Sequence, residues 1–128
     1  MANKLKVIEM EELHNDDRGI IQRLTEDEIY TVLYITSKAG AIRANHYHKE
    51  DWHYCFLLTG SMEYFERDIG DDQETHKIIV KAGQGIYTGS KVYHAVRFLE
   101  SSSMITLSPR QRDEFNYEED LVRYELIQ

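Results

Sequence analysis

Residues 40–60 read Gly-Ala-Ile-Arg-Ala-Asn-His-Tyr-His-Lys-Glu-Asp-Trp-His-Tyr-Cys-Phe-Leu-Leu-Thr-Gly. His46 and His48 are two apart, so on an extended backbone both side chains leave from the same face. His53 opens the next apolar run, and its parity places it with Cys55 and Leu57. His94 follows a glycine-containing turn further along the chain. Imidazole is the commonest protein ligand for transition metals, and a His-x-His pair on a strand offers two adjacent positions. The same four side chains serve equally as pocket histidines that hold hydrogen bonds or move protons without a metal. The other two histidines, His14 and His76, have no partner near them in sequence and read as solvated.

Outward from this stretch the strand signal continues. Nine Tyr, four Phe and many Val, Ile and Thr stand in short runs separated by Gly, Asp or Ser. Strands are expected at Lys4–Glu9, Ile20–Leu24, Thr31–Thr36, Ala41–Ala44, His53–Leu58, Ser61–Arg67, His76–Val80, Gly85–Thr88, His94–Phe98 and Ser103–Leu107. Asn15–Gly19 and Asp68–Asp72 carry hairpin-turn chemistry. Glu26–Tyr30 allows one helical turn, and Asn116–Ile127 reads as a helix or a final strand. Many short strands at this spacing indicate a sandwich or barrel rather than alternating βα units. There is no repeat and no low-complexity linker, so one domain over residues 1–128 is expected.

Composition narrows the function. The chain has 128 residues, 23 Asp and Glu against 15 Lys and Arg, and a net charge of -8. Such a balance repels phosphate backbones and argues against a nucleic-acid partner. Cys55 is the one cysteine, which excludes an intramolecular disulfide and suits a reducing compartment. Met1–Met10 lacks the apolar core of a signal peptide, and no apolar run is long enough for a membrane span. The expectation is a cytoplasmic protein.

The spacing of the histidines resembles the motifs of the cupin superfamily. Gly40, five residues, His46-x-His48, four residues, His53, six residues and Gly60 follow its first motif, with His53 at the usual Glu position. Gly83 and His94 keep the spacing of the second motif, while Gly89, Lys91 and Phe98 stand at its Pro, Gly and Asn positions. The resemblance spans roughly residues 30–108. It implies an all-β, double-stranded β-helix (the jelly-roll barrel), usually a homodimer. It also implies His46, His48, His53 and His94 as ligands of a divalent transition metal such as Fe, Ni, Zn or Mn, with no organic cofactor.

A narrower resemblance concerns the substrate. Ile42–Lys49 looks like the Arg-Gly-x-His-x-His-Lys segment of cupins acting on nucleotide-linked sugars, the dTDP-4-keto-6-deoxyglucose 3,4-ketoisomerases among them. Here Ala44 stands at the usual Gly position. Asp17-Arg18-Gly19 resembles a segment of 4-keto-sugar epimerases, and Tyr117–Tyr124 resembles the ketoisomerase tail. The resemblance implies a sugar-nucleotide isomerase or epimerase working by proton transfer. His48 is then the base, with His46 its partner or the second proton carrier, and Arg43 holds diphosphate or enolate. Tyr34, Tyr47, Tyr54 and Tyr93 are candidates for the acid or for stacking on the base. Cys55 reads as a small buried hydrophobe, Trp52 as a residue of the mouth or a dimer interface, and Glu118–Asp120 as a solvated face. The alternatives are a metal-dependent dioxygenase and a non-catalytic sugar- or metabolite-binding module.

Overall fold

The computed structural model describes residues 5–70, 74–112 and 114–128, the side chains of 114–116 excepted. Two five-stranded antiparallel sheets face each other, as expected for a jelly roll. The first runs β1 (Ile8–Glu9), β9 (Gln84–Thr88), β6 (His53–Thr59), β11 (Ser102–Ser108) and β4 (Thr31–Ser37). The second runs β12 (Leu121–Arg123), β5 (Ile42–His48), β10 (Val92–Phe98), β7 (Ser61–Asp68) and β8 (His76–Lys81). A separate hairpin of β2 (Glu11–Asp16) and β3 (Gly19–Arg23) completes the strands, and one helix, α1 (Glu114–Asp120), precedes β12. Among the described residues no helix is long and apolar enough to cross a membrane.

The core follows from alternation. On β6, Cys55 and Leu57 face Met104 of β11, while Met62 and Tyr64 of β7 and Val96 and Phe98 of β10 close from the other sheet. Two glycines make the approach possible. Gly60 turns β6 into β7 at φ 89°, and a Cβ there would lie 2.0 Å from Ser102 Oγ. At Gly85 a Cβ would meet the Phe56 ring at 2.5 Å.

One irregularity positions the site. On β5, Ala44 and Asn45 both take left-handed backbone conformations, φ 69° and 56°. The ladder to β10 slips at the same place: His94 pairs with His46, but Ala95 pairs with Ala44. This β-bulge inserts one residue, so Arg43 and His46, which strict alternation would send to opposite faces, look the same way. Asn45 tolerates the conformation and uses it. Its Oδ1 accepts the backbone N–H groups of Leu126 and Ile127 at 3.0 and 3.1 Å, and its Nδ2 donates to the Ile127 carbonyl at 3.2 Å.

The structure corrects several expectations. Only Ile8–Glu9 of the first expected strand joins a ladder, and Lys4 lies outside the described residues. Glu26–Tyr30 is not helical; Asp27 donates its N–H to Thr25 Oγ1 and accepts the Tyr54 hydroxyl, which fixes a bent connection. β2 was not expected because an exposed hairpin imposes no apolar alternation. Of the second turn, Asp71 and Asp72 lie outside the described residues, while Gly70 has the expected positive φ. The ambiguous ending is both a helix and a strand, α1 then β12.

An alanine in the left-handed region costs about 1 kcal/mol relative to glycine. Ala44→Gly is therefore expected to raise the unfolding free energy by roughly 0.5–1 kcal/mol. Gly60→Ala is expected to lower it by more than about 2 kcal/mol, because strain and overlap with Ser102 add. Urea titrations of the two variants check both signs.

Candidate functional site

The barrel encloses a cavity of about 350 Å³. β5 contributes Arg43, His46 and His48; β6 contributes His53; β10 contributes His94. The four imidazoles expected from sequence thus meet, with ring centroids 4.7–5.6 Å apart for His46–His94, His46–His48, His53–His94, His48–His53 and His48–His94. All four are buried.

Hydrogen-bond partners fix the tautomers of His48 and His94. His48 Nδ1 lies 3.0 Å from Asp120 Oδ2, and hydrogen bonds from His48 and from the backbone N–H groups of Glu50 and Asp51 hold that carboxyl below the ordinary range. A carboxylate only accepts, so Nδ1 carries the proton and Nε2 is bare. His48 Nε2 is buried without a protein partner, as is His46 Nδ1. His94 Nδ1 donates to the Val92 carbonyl at 3.2 Å, which leaves its Nε2 bare as well.

The reading of Glu118–Asp120 as a solvated face is corrected at Asp120, which is 7% exposed and caps the loop after β5 while orienting His48. Its tail segment resembled an enzyme family, but nothing in an acidic triplet distinguishes the buried member. Three more groups escaped sequence reasoning. Arg112, buried against Asp51 at 2.8 Å, enters the cavity and lies with its guanidinium 5.5 Å from the Tyr117 ring centroid. Tyr117 also lines the cavity, its phenol kept protonated by burial, which raises its pKa. Arg123 of β12 joins them. Among the described residues the lining holds three arginines and no carboxylate, inside a protein of net charge -8.

Arg43 faces the cavity and is steadied by Ser37 Oγ at 2.8 Å and the Thr36 carbonyl at 3.0 Å. The tyrosines chosen from sequence sit elsewhere. Tyr47 and Tyr93 pack edge to face on the outer face of the second sheet, where Tyr124 and Arg67 cover Tyr93. Tyr34 is 67% exposed on the edge strand β4, and Tyr54 is bonded to Asp27. Alternation explains Tyr47: a residue between two inward histidines points outward. Trp52 packs on Tyr54 and Tyr87. Arg18 of the Asp17-Arg18-Gly19 segment pairs with Asp16 at the hairpin tip and does not line the cavity. Cys55 does line it, as a buried thiol raised to about 12.

A metal has a fitting donor set in part. Nitrogens of His46, His48 and His94 lie within 4.8 Å of one another, and Asp120 and the Val92 carbonyl supply the outer partners that metal-bound histidines usually have. His53 is outside that group.

Burial lowers the imidazole pKa values, to about 2 for His46, about 3 for His94 and well below the ordinary value for His53. Below pH 6.5 the unfolded chain takes up protons that the folded chain refuses, so stability falls as pH falls through that value. Three such histidines remove roughly 4 kcal/mol between pH 7.5 and 5.5. Denaturant titrations at the two pH values should show this loss, and His94→Gln should shrink it. A pH-independent midpoint would contradict the burial of neutral imidazoles.

No family model and no curated protein sequence matches the chain. Solved structures do. A variant of the sugar 3,4-ketoisomerase from Thermoanaerobacterium thermosaccharolyticum, in complex with TDP-4-keto-6-deoxyglucose, is 21% identical over 96% of this chain and 89% of that one, TM-score 0.74. A 3,4-ketoisomerase from Helicobacter canadensis is 23% identical over 94% and 90%, TM-score 0.76. The dTDP-4-dehydrorhamnose 3,5-epimerase from Elizabethkingia anophelis is 15% identical over 98% and 79%, TM-score 0.76. The chain therefore has the cupin jelly-roll fold shared by these sugar-nucleotide ketoisomerases and epimerases.

Proposed function

We propose that this protein is an isomerase or epimerase of a nucleotide-linked 4-keto sugar. One observation carries the reading: a carboxylate-oriented imidazole, His48 on Asp120, holds a bare, unpartnered Nε2 in the wall of a cavity whose described charged groups are all cationic. The fold's ketoisomerase neighbours, one of them in complex with TDP-4-keto-6-deoxyglucose, support it. The cavity has room for one sugar ring. Arg43 and Arg123, at the ends of β5 and β12, suit the diphosphate that follows it.

A carbon beside a carbonyl is acidic because its lost proton leaves an enolate. His48 Nε2 takes that proton; the C–H pair becomes the C=C bond and the carbonyl pair moves to oxygen. The imidazolium formed is stabilised by Asp120. Tyr117, protonated and 6.0 Å from the His48 ring between centroids, returns a proton at the neighbouring or opposite position, with His46 as the second carrier. No electron enters or leaves.

As an alternative to that proton transfer, since the ion would take the His48 Nε2 lone pair, His46, His48 and His94 would hold a divalent transition metal such as Fe, Ni, Zn or Mn, and such an ion would polarise a ligand oxygen as a Lewis acid. That donor set also favours a second reading, the metal-dependent dioxygenase. The reading of the chain as one cytoplasmic domain working as a homodimer is part of the proposal. Exposed Val32 and Tyr34 on the edge strand β4 and Ile20 and Ile21 on the hairpin support the pairing.

Incubation with dTDP-4-keto-6-deoxyglucose in D₂O should place deuterium next to the carbonyl, read by NMR. His48→Asn should slow this by roughly 10²–10⁴-fold with the fold intact. Asp120→Asn should also slow it, because an amide donor forces the wrong tautomer on His48. Absence of exchange in the unmodified protein, together with substrate-dependent oxygen uptake by the metal-loaded form, would replace this reading with the dioxygenase.

A further inference from the structure

The motif position of His53 makes it a fourth metal ligand; its partners assign it otherwise. Arg112, in the connection after β11, has 8% of its side chain exposed, and its Nε donates to Asp51 Oδ2 at 2.8 Å. Asp51, also buried, accepts the Ser108 hydroxyl at 2.7 Å. Held this way, Arg112 places Nη2 at 3.3 Å from His53 Nδ1. A guanidinium has donors and no acceptor, so His53 Nδ1 must accept. With Nδ1 accepting, the imidazole's one proton sits on Nε2. A protonated nitrogen has no lone pair for a metal.

His53 lines the cavity beside His48 and His94, whose inward nitrogens are bare. Beside the lone pairs of His48 and His94, His53 therefore sets a fixed N–H donor, the arrangement a ligand carbonyl next to an acidic C–H requires. We propose that Asp51 and Arg112 hold His53 as an Nε2–H donor, which hydrogen-bonds the ligand oxygen where negative charge builds, in place of a fourth metal ligand. The ligand's identity rests on the 4-keto sugar reading; the tautomer does not. As His48 removes the proton from carbon, the carbonyl pair moves to oxygen, and the His53 proton stays on nitrogen. Arg112 and Asp51 are positioning residues, and His53 is the group that touches substrate.

Long-range ¹⁵N NMR of the full chain reads the tautomer directly. The expected result is a bare Nδ1 and a protonated Nε2 on His53, with that preference lost in the charge-balanced double variant Asp51→Asn, Arg112→Met. A protonated Nδ1 in the unmodified protein overturns the proposal. Substrate exchange then separates a donor from a space-filler: His53→Gln, which keeps an N–H, should stay within about tenfold. His53→Leu should lose roughly 10²–10³-fold in kcat with KM little changed. Equal effects of the two substitutions overturn the donor role. Co²⁺ titration supplies a readout without substrate: binding unchanged in His53→Leu supports the assignment, and binding lost only in that variant makes His53 a ligand. A protein with the expected tautomer but no exchange of the keto sugar overturns the sugar reading alone.

Discussion

The bulge at Ala44–Asn45 is the constraint on which the site depends, because β5 carries three of its groups and alternation alone cannot aim all three inward. His46 and His48 satisfy a period of two, whereas Arg43 is an odd number of residues from both. The extra residue restores agreement, and Ala44 holds a conformation that costs energy. What keeps the bulge in place is the tail. Asn45 binds the backbone at Leu126 and Ile127, and its own carbonyl accepts the Tyr124 N–H at 2.9 Å. Tyr124 then packs against Tyr93 outside the sheet, the rings tilted by 33°. The strand that aims the histidines and the segment that delivers Asp120 are thus fastened together along one edge of the second sheet.

Burying four imidazoles sets the second constraint. Burial penalises the charge on each, and Arg112 adds a repulsion in the same direction on all four, opposed at His94 by the hydrogen bond to Val92 and at His48 by Asp120. A buried guanidinium is tolerated because Asp51 answers it at 2.8 Å and Ser108 completes the carboxylate's bonding. The outcome is a cavity that is polar yet carries no negative charge among its described lining residues, inside an acidic protein. An anionic ligand is attracted by the pocket though repelled by the rest of the surface.

The strands, the barrel and the convergence of the histidines were legible because each rests on a local rule. His46 and His48 share parity, His53 shares it with Cys55, and glycine spacing marks the turns at Gly60 and Gly83. Asp120, Arg112 and Tyr117 were not legible as site residues. They sit on a helix or in a connection, outside the strands that carry the histidines, and no period links them. The choice of Tyr47 failed for an instructive reason: nearness in sequence to His46 and His48 is what sends it outward. The bulge itself had one faint trace, an Asn in a strand rich in β-formers, since Asn accepts left-handed backbone more readily than most.

Three imidazoles offer nitrogens to the same space, and their outer partners decide which of them is suited to remove a proton. His94 leans on a neutral carbonyl, which orients the ring but does little for a positive charge. His46 has no partner on Nδ1, so an imidazolium there would be buried without an answering anion. His48 alone among the three is bonded to a carboxylate, one held ionised by two backbone N–H groups and by the imidazole itself. Those hydrogen bonds offset the burial of the carboxylate in the resting state, and it becomes an ion pair only when His48 is protonated, as the proposed proton abstraction requires. The same bond keeps Nε2 bare beforehand. Asp120 therefore biases the site toward His48 twice, once through the tautomer and once through charge, and neither bias extends to its neighbours.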